Sequence, residues 1–264
     1  MVNINELFER PPYPSFVSRP HYKIIILIIA SHTGEHYDVF TEIWSKYMNS
    51  NKYIKSFFVY SNPDQIENVI VTENTITHRS KEWYEPGILY KTIAAMDYCV
   101  SHYSFHYLLR TNLSSFYCFP RLLDYIDIQP RVNYAAAKQN IFREGVGFLS
   151  GAGFILSKDV VTRFLNEVFY KDALTEENIY FPDDVTISMI VTSVVSVGFH
   201  DLPRYDCEDV VAMDEIGDSF FHIRNKTEWK YGNRSIDIEN IKKLHDFFYG
   251  RYGSKLSLFT PLDN

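Results

Sequence analysis

Two carboxylates stand side by side at Asp183 and Asp184, directly behind Phe181-Pro182 and ahead of a β-branched apolar run, Val185 to Val191. An acidic pair in that position is well placed to cap a helix, with Gly198 as the expected stop. A carboxylate at a helix start usually caps and does nothing more. The case for chemistry comes from what precedes it. Thirty residues upstream lies Ser150-Gly151-Ala152-Gly153, which reads as a small-residue turn leading into the apolar Phe154-Ile155-Leu156. Its two glycines permit positive φ and the close approach of another backbone or a ligand.

Several elements must position these groups. Ile24 to Ala30 reads as a buried, parallel-type strand ending in Ser31-His32-Thr33-Gly34, and a helix begins near Tyr37. Ligands of open α/β sheets bind beyond the carboxyl ends of the strands, so Ser31, His32 and Thr33 are candidate nucleotide contacts. His32 and His36 have a four-residue spacing found in some zinc sites, but no helix across both is indicated. A second strand spans Phe57 to Tyr60 and leads to Ser61-Asn62-Pro63-Asp64. Helical periodicity follows from Ile88, with Ile93, Met96 and Val100 on a common side. A third strand, Tyr107 to Leu109, runs into a polar turn. Near the end, Arg224 and Lys226 alternate with Ile223 and Asn225 at a strand's period, so both cations could face one side; an edge strand with ordinary surface charges has the same pattern. The acidic loop Glu208 to Asp218 before it is expected to be mobile. An amphipathic helix, Ile236 to Tyr249, closes the chain, with Ile241, Leu244, Phe247 and Phe248 turned toward the sheet.

Taken in order, Gly151-Ala152-Gly153-Phe154 before a Ser-Lys-Asp helix start, then Phe181-Pro182-Asp183-Asp184, resembles the inverting glycosyltransferases of the Fringe and β-1,3-galactosyltransferase type. The likeness covers most of the chain in scattered short motifs. It implies an α/β fold of the GT-A kind, a Rossmann-like, mixed and mainly parallel sheet flanked by helices. It also implies one domain over 1–264, with about 21–117 binding a nucleotide-sugar and about 118–264 supplying the acceptor side and the base. By resemblance Asp184 is the first choice for the catalytic base and Asp183 the second, with Gly151, Ala152 and Gly153 on the acceptor side. Asn62 stands where the family has an Asp that contacts the nucleoside. Lys91, beside Thr92, matches a helix lysine that could brace a diphosphate. Arg110 and Thr111 match a donor-side strand, and His222, after Phe221, matches a metal or diphosphate ligand.

One departure has chemical consequences. Where the family carries an Asp triplet, this chain has Asn112-Leu113-Ser114. Mn²⁺ and Mg²⁺ prefer hard anionic oxygens, and Asn112 and Ser114 offer neutral ones. The departing diphosphate still needs its charge neutralised, which Arg224, Lys226, Lys91 or Arg110 could do. Some fold relatives, the core-2 branching glycosyltransferases, are similar in having such a turn and no metal. Metal independence is therefore the favoured expectation, with His222 the residue to hold an ion if there is one.

Composition narrows the classes. The chain has 264 residues, 46% of them hydrophobic, ample for a sizeable core. A net charge of −7 argues against nucleic acid or an anionic membrane surface as partner, since both need a basic face. Twenty Tyr and twenty Phe suit packing at the core boundary, and some suit stacking on sugars. Cys99, Cys118 and Cys207 show neither metal spacing nor a disulfide framework, as in a reducing compartment. Ile24 to Ala30 is far shorter than the roughly 20 residues of a membrane span, and no signal peptide is visible, so a soluble, cytoplasmic protein of bacterial or viral type is expected. The partners implied are a nucleotide-sugar, UDP-linked by resemblance, and a carbohydrate or glycan acceptor. Two rival readings use the same residues. One is a degenerate, non-catalytic nucleotide- or sugar-binding transferase. The other is a glycoside hydrolase, which needs two carboxyl groups on opposite sides of one sugar.

Overall fold

A computed structural model describes residues 18–141 and 147–250. The chain forms two compact units that alternate along the sequence. Among the described residues, the first runs to His32 and takes in Lys52–Asn112 and Pro130–Leu202. The second takes in Thr33–Asn51, Leu113–Gln129 and the chain from Pro203. The proline-rich stretch Pro11 to Pro20 reads in the sequence as an extended arm, and residues 11–17 of it lie outside the described residues.

The first unit is built on an eight-stranded sheet. Its strands are β1 (His21–Ile29), β2 (Ile54–Ser61), β3 (Val69–Val71), β4 (Thr75–His78), β5 (Ser104–Asn112), β7 (Ala135–Ile141), β8 (Gly147–Ser157) and β9 (Phe199–His200), in the spatial order β3-β4-β2-β1-β5-β8-β7-β9. β4, β2, β1 and β5 form a parallel block, and β8 runs antiparallel to β5 and β7. The mixed, mainly parallel sheet expected from the sequence is present. β1 is apolar from Ile24 onward because both its faces are buried there: Ile24, Ile26 and Ile28 on one side, Ile25 and Leu27 on the other, are fully inaccessible. The Ile25–Leu27 face packs with residues of α2 (Gly87–His102), α4 (Lys158–Tyr170) and α5 (Asp183–Ser193), including Ile93, Met96, Phe164 and Ile187.

Three local expectations change. Ser150-Gly151-Ala152-Gly153 is not a turn. It lies inside β8, where the register with β7 jumps from Ala137–Phe154 to Gln139–Leu149. Two steps along β7 thus match five along β8, and the small-residue stretch is an extended bulge in one strand. Neither glycine has positive φ. α5 ends at Ser193 rather than reaching Gly198, and Ser196 takes the left-handed conformation, φ 60°, beyond it.

The second unit holds a three-stranded sheet, β10 (Arg204–Cys207), β11 (His222–Asn225) and β6 (Ser115–Tyr117), with β11 central and not at an edge. Its helices are α1 (Tyr37–Tyr47), α3 (Phe119–Asp127), the short α6 (Glu228–Tyr231) and α7 (Ser235–Tyr249). Trp44 and Tyr47 stack at 5.0 Å, and Tyr47 stacks on Tyr249 at 4.7 Å. The Tyr249 hydroxyl donates to the Tyr117 carbonyl and accepts from the Phe119 N–H. Ile241, Leu244 and Phe248 of α7 are buried, but Phe247 is exposed. The acidic loop is tied by Glu208–Lys226, Asp209–Lys230 and Asp218–Arg121 ion pairs. Among the described residues no helix is long and apolar enough to cross a membrane.

The inaccessibility of β1 gives a direct test. Leu27→Ala leaves a cavity in the middle of the parallel block and should lower the unfolding free energy by about 2–5 kcal/mol. A urea titration showing a loss below about 1 kcal/mol would mean that this strand is not central to the core.

Candidate active site

The Asp pair opens α5. Pro182 precedes the helix, its carbonyl accepting from Val185 and Thr186, and both carboxylates fall in the first turn, where the helix dipole favours negative charge. Their surroundings differ. Asp183 is buried, 6% exposed, and its Oδ1 accepts from Arg110 Nη2 at 2.8 Å. Its Oδ2 lies 3.4 Å from the Thr92 hydroxyl on α2. Asp184 is only partly buried. Its Oδ2 accepts the Gly151 N–H at 2.7 Å and its Oδ1 the Val185 N–H at 3.0 Å. Burial, and then the charge of Asp183, push the Asp184 carboxyl up to about 6; Arg110 and the two backbone N–H groups pull the other way.

Arg110, on β5, connects these parts. One terminal nitrogen holds Asp183 and the other donates to the Gly151 carbonyl, while the Gly151 N–H holds Asp184. A Cβ at Gly151 would sit 2.8 Å from Asp184 Oδ2 and 2.9 Å from Arg110 Nη1. Glycine is required here for close approach, not for an unusual φ. The neighbouring Thr111 hydroxyl donates to the Ala152 carbonyl at 2.7 Å, which secures the bulge.

Lys91 is also internal. It is 1% exposed and donates to the Ala30 carbonyl at 2.8 Å and to Glu82 Oε1 at 2.6 Å. Burial lowers its pKa, and Glu82 opposes that shift. Glu82 Oε2 accepts the Ser61 N–H at 3.2 Å, so one ion pair ties the carboxyl ends of β1 and β2 to α2. At the same ends His32 is exposed and stacks on Tyr60, ring centroids 4.3 Å apart and 4° from parallel. Asn62 is exposed, with its Oδ1 accepting the Asp64 N–H. Ser31 and Asn112 are half-buried at the ends of β1 and β5.

No protein-family model matches the sequence, and no curated protein sequence matches it. Solved structures do. A glycosyltransferase involved in the glycosylation of the major capsid of PBCV-1 superposes with a TM-score of 0.51 at 11% identity, over 83% of this chain and 99% of that one. The fold is of the GT-A kind. Mouse xyloside xylosyltransferase 1, in its apo form, matches at a TM-score of 0.42 and 10% identity, over 84% of this chain and 93% of that one.

The remaining sequence candidates belong to the second unit of this GT-A fold. Thr33 is exposed. The Ser114 carbonyl accepts from both the backbone and the side chain of Asn225. His222 is fully buried, 3.1 Å from the Ser115 hydroxyl and stacked on Tyr117 at 4.4 Å. Burial holds its imidazole well below the usual range, with Arg204 and Arg224 acting in the same direction, so it stays neutral. Arg224 and Lys226 are half-exposed on one side of the β11 line, and Lys226 pairs with Glu208 at 3.3 Å. Among the described residues no group of three or more His, Cys, Asp or Glu is placed to hold a metal ion.

Sequence reasoning did not find Glu82, and it gave Thr92 no task of its own. Glu82 carries a weak signal, as the only acidic residue of a short loop ahead of the α2 lysine apart from Glu85. Because Arg110 neutralises a buried carboxylate, Arg110→Leu should cost about 3–5 kcal/mol of stability near neutral pH. A denaturation midpoint close to that of the unchanged protein would show that the Arg110–Asp183 pair is not a structural tie.

Proposed function

We propose that this chain is a glycosyltransferase that moves a sugar from a nucleotide-sugar to an acceptor hydroxyl with inversion, Asp184 being the base. The observation that carries this reading is the division of labour in the Asp pair. Asp183 is buried and neutralised by Arg110. Asp184 is partly accessible, has no cation hydrogen-bonded to it among the described residues, and is held near a pKa of about 6. A general base works best when its pKa lies close to the operating pH. In the step, the acceptor oxygen bonds to the anomeric carbon as its proton passes to Asp184. The bond from that carbon to the diphosphate breaks on the opposite face, and the electron pair leaves with the nucleoside diphosphate. Bringing the two substrates together supplies a large part of the acceleration.

For the donor side, the proposal assigns Ser31, His32 and Asn62 of the first unit to the nucleoside. Lys91 and Arg110 would act by holding Ala30, Glu82, Asp183 and Gly151 in place. UDP is the nucleotide expected from the family resemblance. The neutral oxygens of Asn112 and Ser114 fit a hard cation poorly, and no step is assigned to a metal.

Asp184→Asn should abolish transfer while leaving donor affinity within about threefold, less than 1 kcal/mol. With the unchanged protein, log kcat should rise as pH increases through about 6 and level off above it, because only the ionised carboxylate accepts the proton. Asp183→Asn removes a neighbouring negative charge, so it should shift this limb to lower pH. A limb that stays near 6 in Asp184→Asn would remove Asp184 from the role.

Activity should persist in excess EDTA and gain little from added Mn²⁺. Arg224→Ala or Lys226→Ala should then harm turnover more than His222→Gln. Complete loss in EDTA with recovery in Mn²⁺ would overturn the metal-independent reading and return attention to Asn112, Ser114 and His222.

A further inference from the structure

Three large aromatic side chains in the first unit are exposed on the two segments that lead into the active-site helices. Trp83 and Tyr84, 60% and 69% exposed, precede α2, and Tyr180, 58% exposed, precedes α5. Water-exposed Trp and Tyr are not explained by packing, and here they cluster around one place. α2 and α5 meet where Thr92 reaches Asp183. Tyr180 lies close enough to Tyr90, in the first turn of α2, for the two phenols to interact. Tyr84 has Asp184, Asp183, Glu85 and Arg110 as its charged neighbours; partial burial of its hydroxyl, and then those carboxylates, raise its pKa.

The segment carrying Trp83 and Tyr84 is built to hold its shape. Glu82 is fixed by Lys91 and the Ser61 N–H. Trp83 N–H donates to the Lys81 carbonyl at 2.9 Å, and the Trp83 carbonyl accepts from Ile88 at 3.2 Å. Gly87 closes the loop so tightly that a Cβ there would lie 2.4 Å from the Lys81 carbonyl oxygen. The Lys81 ammonium sits 4.8 Å from the Trp83 ring centre. A preorganised Trp or Tyr face presents apolar area at little entropic cost while its polar edge stays wet.

We propose that Trp83 and Tyr84, flanked by Tyr180, form the acceptor platform, and that it takes a neutral pyranose ring whose hydroxyl is delivered to Asp184. This rests on the transferase reading of the same site. The C–H face of a pyranose matches an aromatic ring, and its hydroxyls supply the nucleophile. The carboxylates around Tyr84 outnumber the single cation Arg110, and the net negative charge disfavours phosphorylated or acidic sugars by like-charge repulsion.

The test separates platform from reaction. The chain has three tryptophans; Trp44 is fully buried, and the indole N–H signals of Trp83 and Trp229 are identified with Trp83→Phe and Trp229→Phe. Titration with methyl β-D-glucopyranoside and methyl β-D-galactopyranoside should shift the Trp83 indole signal and leave that of Trp229 in place. Methyl β-D-glucuronide should bind at least about tenfold more weakly than the tighter neutral glycoside, and Tyr84→Ala should weaken that glycoside about tenfold. Silence at Trp83 with both neutral glycosides overturns the proposal. So does a preference for the glucuronide, and so does a Trp83 shift caused by UDP alone, which would make the platform a nucleobase site. In turnover, Trp83→Ala and Tyr84→Ala should cut transfer to a saccharide about tenfold more than they cut transfer of donor sugar to water. Pyranoside binding at Trp83 without any donor turnover by the unchanged protein would leave the platform standing and refute the transferase reading.

Discussion

One guanidinium serves two carboxylates. Arg110 brings a single positive charge to a corner that contains the buried Asp183 and the partly buried Asp184. A buried charge without compensation costs several kcal/mol, so the corner can carry one carboxylate comfortably and the second only under strain. Asp183 takes the cation. Among the described residues Asp184 receives two backbone N–H groups, and its carboxyl is held up near 6. The difference between the two carboxyls follows from burial of Asp184 and then from the charge of Asp183, and it would narrow if a second cation reached the site or if Asp183 were neutral.

The rest of the local architecture keeps this corner closed. Gly151 must lack a side chain so that β8 can approach Arg110 and Asp184 together. The bulge in β8 supplies the backbone groups that meet them, and Thr111 pins the bulge from β5. Thr92 carries the contact across to α2, whose Lys91 is in turn neutralised by Glu82. Two buried ion pairs, Arg110–Asp183 and Lys91–Glu82, therefore bracket the carboxyl ends of the parallel strands. A stiff polar frame of this kind suits a site that must hold a base within hydrogen-bonding distance of a substrate hydroxyl.

Much of the scaffold was legible in the sequence because the relevant signals are local. The runs at Ile24–Ala30, Phe57–Tyr60 and Tyr107–Leu109 are apolar for the simple reason that parallel strands are buried on both faces, and apart from Ala30 each lies within an observed strand. The helix behind Phe181-Pro182 was legible from its acidic first turn. What could not be read is pairing at a distance. Nothing near Arg110 announces that its partner lies 73 residues later, or that Lys91 belongs to Glu82 across a loop. Both cations therefore looked available to a ligand when each is engaged inside the protein. The Gly-Ala-Gly stretch misled differently: a turn and a bulge both select small residues, and only the register of β7 against β8 tells them apart.

The same asymmetry bears on the rival chemistry. Glycoside hydrolysis requires two carboxyl groups on opposite sides of one sugar, about 5–9.5 Å apart, one as acid and one as base or nucleophile. Asp183 and Asp184 share a helix turn but face different partners. Asp183 is 6% exposed, with one oxygen on a guanidinium and the other toward Thr92. The pair thus offers a substrate one carboxylate, not two. One carboxylate is what a transfer reaction needs when the leaving group departs with its own charge and requires no proton from the protein. The acidic partner that a hydrolase must add is not supplied by this pair, and the energetic reason is the single cation of Arg110, which pairs with the buried Asp183 and leaves Asp184 on backbone N–H groups.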